Sequence, residues 1–265
     1  MYKLIKKIEI NPKVFLLEFE AKDIALSAKP GQFVIFRIDE KGERFPLTLY
    51  DWDINKGKIT VVCQAIGLST HKLCSLQEKE FVLDIVGPLG QAIVMDKVGK
   101  VICIGGGVGT AEIYPIVKYL KDKSDFSITI IGAKSKEFII CEKEIKSICD
   151  KVYIVTDDGS YGEKGFVTNI LSKLLEKDKY DTVFSVGPIL MMKSVSDITK
   201  EYNIKTFVSL NPIMIDGTGM CGGCRVIYNG DIKFACVDGP LFNGHLIDYE
   251  DLMYRQQSYL KEENI

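Results

Sequence analysis

The chain has 265 residues, 46% of them hydrophobic and 26% charged, with a formal net charge of -2 and a pI near 5.9. That length exceeds one average domain, and the composition is ordinary for a folded globular protein. No basic stripe is available for nucleic acid, no apolar run approaches a bilayer span, and the first residues lack the apolar core and cleavage site of a signal peptide, so a cytoplasmic protein with neither nucleic-acid nor membrane partners is expected.

From the N-terminus, alternating segments at 3–10, 14–20, 32–38, 58–64 and 81–86 are separated by turns at Pro30-Gly31, Lys41-Gly42 and Asn55-Lys56-Gly57. Short strands so punctuated predict a small antiparallel barrel over residues 1–97. From Lys100 the period changes. Strand-like stretches at 101–105, 127–132, 152–156, 182–186 and 206–210 alternate with helical ones near 110–122, 137–149, 166–176 and 189–202. This βαβ series over residues 98–210 predicts a parallel sheet covered on both faces. After Leu210 the alternation stops, and within residues 211–265 the stretch 226–234 predicts a hairpin turning at Asn229-Gly230. The fold class is therefore a β-barrel plus an α/β domain, followed by a small C-terminal loop and hairpin.

Gly105, Gly106, Gly107, Gly109 and Thr110 follow the first strand of the βαβ series and open its first helix. Glycines there allow a backbone to approach a pyrophosphate, and a helix N-terminus offers unpaired N–H groups to negative charge. The register departs from the G-x-G-x-x-G fingerprint, because Thr110 stands at its third glycine; a tight strand-to-helix turn is the structural alternative. Two later loops end strands of the same sheet, one with Asp157 and Asp158 and one with Gly187, Pro188 and Met191. They are placed to reach a ribose and a nicotinamide if the glycine loop holds the pyrophosphate, and are otherwise plain turns.

Asp216, Cys221, Cys224 and Cys236 reproduce the spacing of a plant-type 2Fe-2S ligand set, C-x4-C-x2-C with a distant fourth position, with aspartate replacing the first cysteine. Gly217, Gly219, Gly222 and Gly223 give the loop freedom to turn its ligands inward. Structural thiols, a disulfide and zinc are the alternatives, zinc using Cys221, Cys224, Cys236 and His245 as a Cys3His set. The hairpin serves either metal by returning Cys236 towards Cys221 and Cys224. Cys63, Cys74, Cys103, Cys141 and Cys149 lie within apolar stretches and read as core, and His71 and His245 read as surface or packing residues.

Taken in order, barrel, nucleotide sheet and cysteine loop resemble the ferredoxin reductase superfamily over essentially the whole chain, in particular the electron-transfer subunits related to that of dihydroorotate dehydrogenase. The stretch around Asp216 and Cys221 is most similar to the small (alpha) subunits of NADH-dependent reduced ferredoxin:NADP+ oxidoreductases, also named sulfide dehydrogenase subunits. That resemblance implies cluster ligation by Asp216, Cys221, Cys224 and Cys236, whereas the dihydroorotate relatives use four cysteines.

It also implies a flavin motif at Arg44, Pro46, Leu47 and Thr48, with the arginine one residue early, and a second flavin segment at Val62, Cys63 and Gln64. Gly67, Ser69 and Thr70 then lie on the FAD pyrophosphate, although by residue chemistry alone Ser69 and Thr70 read as a helix cap. The implied cofactors are FAD, a 2Fe-2S cluster and NAD(H), with FAD between barrel and sheet. The implied activity is electron transfer without a catalytic side chain, acting with a larger flavin and 4Fe-4S subunit and, through it, with ferredoxin and NADP(H) in flavin-based electron bifurcation. A dihydroorotate dehydrogenase electron-transfer subunit is the second reading, and a zinc-stabilised nucleotide-binding docking or sensing module the third.

Overall fold

The computed structural model describes residues 1–258, whose contacts divide the chain into two compact units. The first holds Met1–Ala92, Asn211–Pro240 and the residues from Asp248; the second holds Ile93–Leu210 and Leu241–Ile247. The sequence division at 97 and 210 leaves the C-terminal segment by itself, whereas these contacts distribute it. The physical reason lies in two sets of bonds. The Gln91 amide donates to the Gly239 carbonyl at 2.7 Å, tying the thiol segment to the barrel, while residues 241–243 pair with a strand of the sheet.

In the first unit β1 (Tyr2–Asn11), β2 (Val14–Glu20), the short helix α1 (Lys22–Ser27), β3 (Phe33–Arg37), β4 (Arg44–Asp53), β5 (Lys58–Gln64), α2 (Leu68–Ser75), β6 (Phe81–Val82) and β7 (Asp84–Leu89) follow one another. The strands form one antiparallel sheet in the order β6-β1-β2-β5-β4-β3-β7. Its two edge strands are separated in sequence only by Leu83, so the sheet must curl until its edges meet, as a barrel requires. The single strand expected at 81–86 is thereby split, because the chain leaves β1 and pairs with β3 at that corner. Leu4, Leu17, Phe19, Phe36, Leu49, Ile59, Val61, Cys63 and Leu73 fill the interior.

The second unit contains β8 (Val98–Gly106), α3 (Gly109–Leu120), β9 (Ser124–Ala133), α4 (Glu142–Lys146), β10 (Lys151–Thr156), β11 (Glu163–Lys164), α5 (Val167–Leu175), β12 (Thr182–Val186), α6 (Ile189–Glu201) and β13 (Lys205–Ser209). After β14 (Arg225–Tyr228) and β15 (Asp231–Phe234), which form a hairpin in the first unit, the chain returns to the second as β16 (Leu241–Asn243) and ends its described part in α7 (Tyr249–Gln256) of the first. The sheet order is β11-β10-β9-β8-β12-β13-β16, parallel throughout except for β16. Ile102, Ile104, Ile128, Ile130 and Val183 meet Ile170, Leu171 and Val195 of α5 and α6 in one apolar layer, and α3 packs on β8, β9 and β12. The helix expected at 137–149 is shorter, because Cys141 adopts φ 58 and separates a turn at Lys136–Phe138 from α4. Among the described residues no helix is long and apolar enough to cross a membrane.

Candidate functional site

The strand order reverses direction between β8 and β12, and in an open parallel sheet the crevice outside the carboxyl ends of two such strands is where a nucleotide sits. Gly105 pairs with Val186, so the register brings the glycine loop and the Gly187-Pro188 loop side by side. The glycines have different jobs. A Cβ at Gly106 would lie 2.5 Å from Met191 Sδ, and one at Gly109 would lie 2.7 Å from the Val186 carbonyl carbon, so both permit close packing between strand, helix and the β12 loop. Gly107 alone combines φ +57 with open space within 4 Å of its Cβ position. Beside it the Thr110 hydroxyl is buried at the first turn of α3 without a partner among the described residues. An open left-handed glycine, an unsatisfied hydroxyl and a helix N-terminus fit a pyrophosphate. Met191 lies across Gly106 and Gly187, at the floor of the crevice.

Next to this crevice the loops after β9 and β10 are stitched together. Thr156 pairs with Ala133, and the Asp157 and Asp158 amides donate to the Ala133 and Lys134 carbonyls. The Asp158 carboxylate accepts from the Ser160 amide and hydroxyl at 2.9 and 2.7 Å, which hold it below its ordinary pKa. Ser160 in turn accepts from the Lys136 amide at 2.8 Å, and the Lys136 ammonium lies 5.5 Å from the centre of the Tyr161 ring. Asp158 therefore shapes its own turn, while the exposed Asp157 and Lys134 flank the same edge with opposite charges.

On the barrel, Phe45, Leu47 and Leu49 of β4 face the core, and strand alternation puts Arg44, Pro46 and Thr48 on the other face. On β5, Val61 and Cys63 face the core, which leaves Val62 and Gln64 outward. Leu47 and Cys63 are thus packing residues whose side chains point away from that outer face. At the start of α2 the Thr70 hydroxyl accepts from the Ile66 and Gly67 amides at 3.0 Å each, and the Ser69 hydroxyl donates to Glu43 at 3.1 Å. The N-cap is therefore Gly67, held by Thr70 from inside the helix as one half of a capping box, and not the Ser69-Thr70 cap that residue chemistry suggests. Both hydroxyls and the Ile66 and Gly67 amides are engaged, which leaves the first-turn amides of α2, beside open space at the Gly67 Cβ position, as the groups that fit an anion.

The predicted hairpin forms, with Asn229 and Gly230 at φ 51 and 84 as a type I′ turn demands, and it returns Cys236 to Cys224, their sulfurs 3.2 Å apart and both buried. The Cys236 amide donates to Cys224 Sγ and the Gly223 amide to Cys221 Sγ, each at 3.4 Å. Burial and the adjacent Cys224 thiol push the pKa of Cys236 up to about 12. Asp216 spends both carboxylate oxygens on the loop itself, accepting from the Thr218 amide at 2.8 Å and the Cys221 amide at 2.7 Å, which lowers its pKa. Among the described residues no group of three or more His, Cys, Asp or Glu side chains converges as a metal site. Two sulfurs meet; exposed Cys221 and the Asp216 carboxylate stand on the same loop. Soft thiols ringed by N–H donors are the donor chemistry of an iron-sulfur cluster, so the residues fit such a group. His245 is occupied elsewhere, its Nε2 3.0 Å from the Thr199 hydroxyl.

Gly217 positions the loop on the barrel: a Cβ there would lie 2.6 Å from Leu89 Cδ1 and 3.0 Å from Ile35 Cγ1. The thiol loop therefore rests on β3 and β7, immediately beside β4 with its outward Arg44, Pro46 and Thr48. Sequence reasoning did not single out Glu43 or Gln91, whose side-chain amide donates to the Val237 carbonyl at 2.8 Å. Neither stands in a recognisable motif.

A nearly closed antiparallel barrel, a parallel sheet with a nucleotide crevice at its switch point and a thiol loop on the barrel define a ferredoxin reductase-like oxidoreductase. The same fold occurs in the cytochrome b5 reductase domain of Ulva prolifera nitrate reductase, with a TM-score of 0.63 at 16% identity over 77% of this chain and 93% of that one. Residues 211–248 match the iron-sulfur cluster binding domain of dihydroorotate dehydrogenase B. A Thermotoga maritima protein described as a dihydroorotate dehydrogenase B (NAD(+)) electron transfer subunit homolog is 44% identical over 99% of this chain and 93% of its own length. A chain from the structure of an NADH-dependent reduced ferredoxin-NADP oxidoreductase, solved in a study of flavin-based electron bifurcation, gives a TM-score of 0.95 at 42% identity over 100% of this chain and 95% of that one. The chain belongs to the family of dihydroorotate dehydrogenase B (NAD(+)) electron transfer subunits and their homologs.

Proposed function

We propose that this protein is the NAD(H)-linked subunit that relays electrons through FAD and a 2Fe-2S cluster to a larger partner, in flavin-based electron bifurcation. The observation that carries this reading is the likeness, over its whole length, to a chain of the NADH-dependent reduced ferredoxin-NADP oxidoreductase. Gly105, Gly106, Gly107, Gly109 and Thr110 form the nucleotide cradle, with Gly187, Pro188 and Met191 bordering it and Asp157 at the ribose side. Arg44, Pro46 and Thr48 on β4, Val62 and Gln64 on β5, and the backbone from Gly67 to Thr70 form the flavin face, with Leu47 and Cys63 backing it from the core.

Asp216, Cys221, Cys224 and Cys236 hold the cluster, and the amides of Gly223 and Cys236 donate to the sulfurs of Cys221 and Cys224. When bound, the flavin would supply the conversion between a two-electron hydride and single electrons, and the cluster would supply one-electron transfer. The chain's own contribution is placement: phosphate cradles, N–H groups aimed at sulfur, and a loop fixed on the barrel beside the flavin face. No side chain is assigned proton transfer.

The partner is a larger subunit with a second flavin and 4Fe-4S clusters, through which ferredoxin and NADP(H) are reached, and the complex is cytoplasmic. The family name supports a second reading, delivery of electrons from a dihydroorotate-oxidising partner to NAD+. Anaerobic purification of a tagged chain from its native cell separates the two. Co-purification of a 4Fe-4S subunit and ferredoxin-dependent NADP+ reduction support the first, whereas an FMN partner that oxidises dihydroorotate would replace it with the second.

A further inference from the structure

Helix α7 lies outside the residues matched by the iron-sulfur domain, yet it staples the thiol loop at two points. Arg255 Nη2 donates to the Gly223 carbonyl at 3.0 Å, and Gln256 Nε2 donates to the Asn211 carbonyl at 3.2 Å. The helix is itself well anchored. Asp248 caps it by accepting from the Glu250 and Asp251 amides at 3.0 Å each, the Asp248 amide donates to Ile227 of β14 at 3.0 Å, and Leu252 is buried. An arginine so fixed does not sweep freely through solvent. Its Nε is buried without an acceptor among the described residues, and Asp251 Oδ2, one turn earlier on the same helix, is buried without a donor among them.

Gly223 sits between Cys221 and Cys224, and its own amide points at the Cys221 sulfur. The carbonyl that Arg255 holds belongs to the peptide joining Gly223 to Cys224, and the amide on Cys221 to the peptide before it, so the arginine restrains the residue that links the two ligands. We infer that Arg255 is a positioning residue for the iron-sulfur loop, holding the Gly223 carbonyl and placing a permanent positive charge beside the cluster. A guanidinium stays protonated at any working pH, so its charge favours whichever cluster state carries more negative charge. Reduction adds an electron, hence Arg255 raises the cluster's midpoint potential, and the nearby Asp251 carboxylate partly offsets it.

This inference rests on the cluster reading above, and the two fail separately. Iron and acid-labile sulfide in the anaerobically purified wild-type protein decide whether a cluster is present. Spectroelectrochemical titration, with electron paramagnetic resonance of the reduced state, then compares wild type with Arg255→Gln and Arg255→Lys. Arg255→Gln shifts the midpoint to a more negative value, and Arg255→Lys, which keeps the charge, returns it most of the way. An intact cluster with the wild-type midpoint in Arg255→Gln overturns the inference. Should Arg255→Gln retain no cluster, hydrogen exchange at residues 221–225 of the protein stripped of iron decides it. Faster exchange than in stripped wild type supports the positioning role, and equal exchange overturns it.

Discussion

Alanine at Gly109 and at Gly107 separates the packing of the glycine loop from its binding of nucleotide. At Gly109 the added methyl would stand 2.7 Å from the Val186 carbonyl carbon and 2.9 Å from Gly187 Cα. Those are backbone atoms of β12, which is held in register with β8, so no side-chain rotation relieves the contact and strand and helix must part. Overpacking of this kind costs ~1–3 kcal/mol, and the backbone clash puts the expected loss near the upper end. Gly107 presents the reverse case. Nothing lies within 4 Å of its Cβ position, and its φ is +57, so alanine costs only about 1–2 kcal/mol in backbone conformation. The methyl would, however, project into the space assigned to the pyrophosphate. Hydrogen exchange across β8 and β12 measures the first effect and calorimetric NADH titration the second. Gly109→Ala should lower the protection of both strands most; Gly107→Ala should keep most protection yet lose about tenfold or more in NADH affinity, ~1.4 kcal/mol. Unaltered affinity in Gly107→Ala would refute the cradle, and wild-type protection in Gly109→Ala would refute the packing role.

Replacing Asp216 by Cys should leave a 2Fe-2S cluster with a shifted redox midpoint, because thiolate is a softer ligand than carboxylate; an identical midpoint and spectrum would exclude ligation by Asp216. Leu171→Ala removes a fully buried side chain from the layer beneath α5 and should cost ~2–5 kcal/mol in chemical denaturation, with a loss under ~1 kcal/mol contradicting the packing described. Burial, followed by the Lys200 charge, lowers the pKa of His245 below 6.5, while Asp197 opposes this more weakly. As pH falls through 6.5 the unfolded chain takes up the proton first, so stability is full above that value and declines below it. His245→Gln should flatten this acid limb in thermal melts, and an unchanged pH profile would show that His245 does not contribute.

The fold class was legible because its signals are local. Residues 14–20, 58–64 and 182–186 alternate or run apolar without interruption and are strands at those bounds, and Asn229-Gly230 allows hardly anything but the observed hairpin turn. Strand β4 escaped because Pro46 demotes a central strand and an irregularity between Leu49 and Asp51 breaks the alternation that Phe45, Leu47 and Leu49 begin. The helix expected at 137–149 ran through Cys141, whose left-handed backbone no composition rule anticipates. In the candidate site the residue types were readable and their division of labour was not. That Gly106 and Gly109 serve packing while Gly107 faces open space follows from β12 lying beside β8, a neighbour distant in sequence. The engagement of Ser69 by Glu43, and of Gly223 by Arg255, likewise depends on tertiary proximity.

The most direct measurement is a stepwise anaerobic titration of the purified protein with NADH, with flavin absorbance and the paramagnetic signal of a reduced 2Fe-2S cluster followed in the same sample. Bleaching of a yellow protein, together with a signal that disappears in Cys236→Ser, is the result expected of an electron relay. A colourless protein holding zinc in place of iron and sulfide, or a flavin that bleaches while the cluster stays oxidised at every NADH concentration, would contradict it.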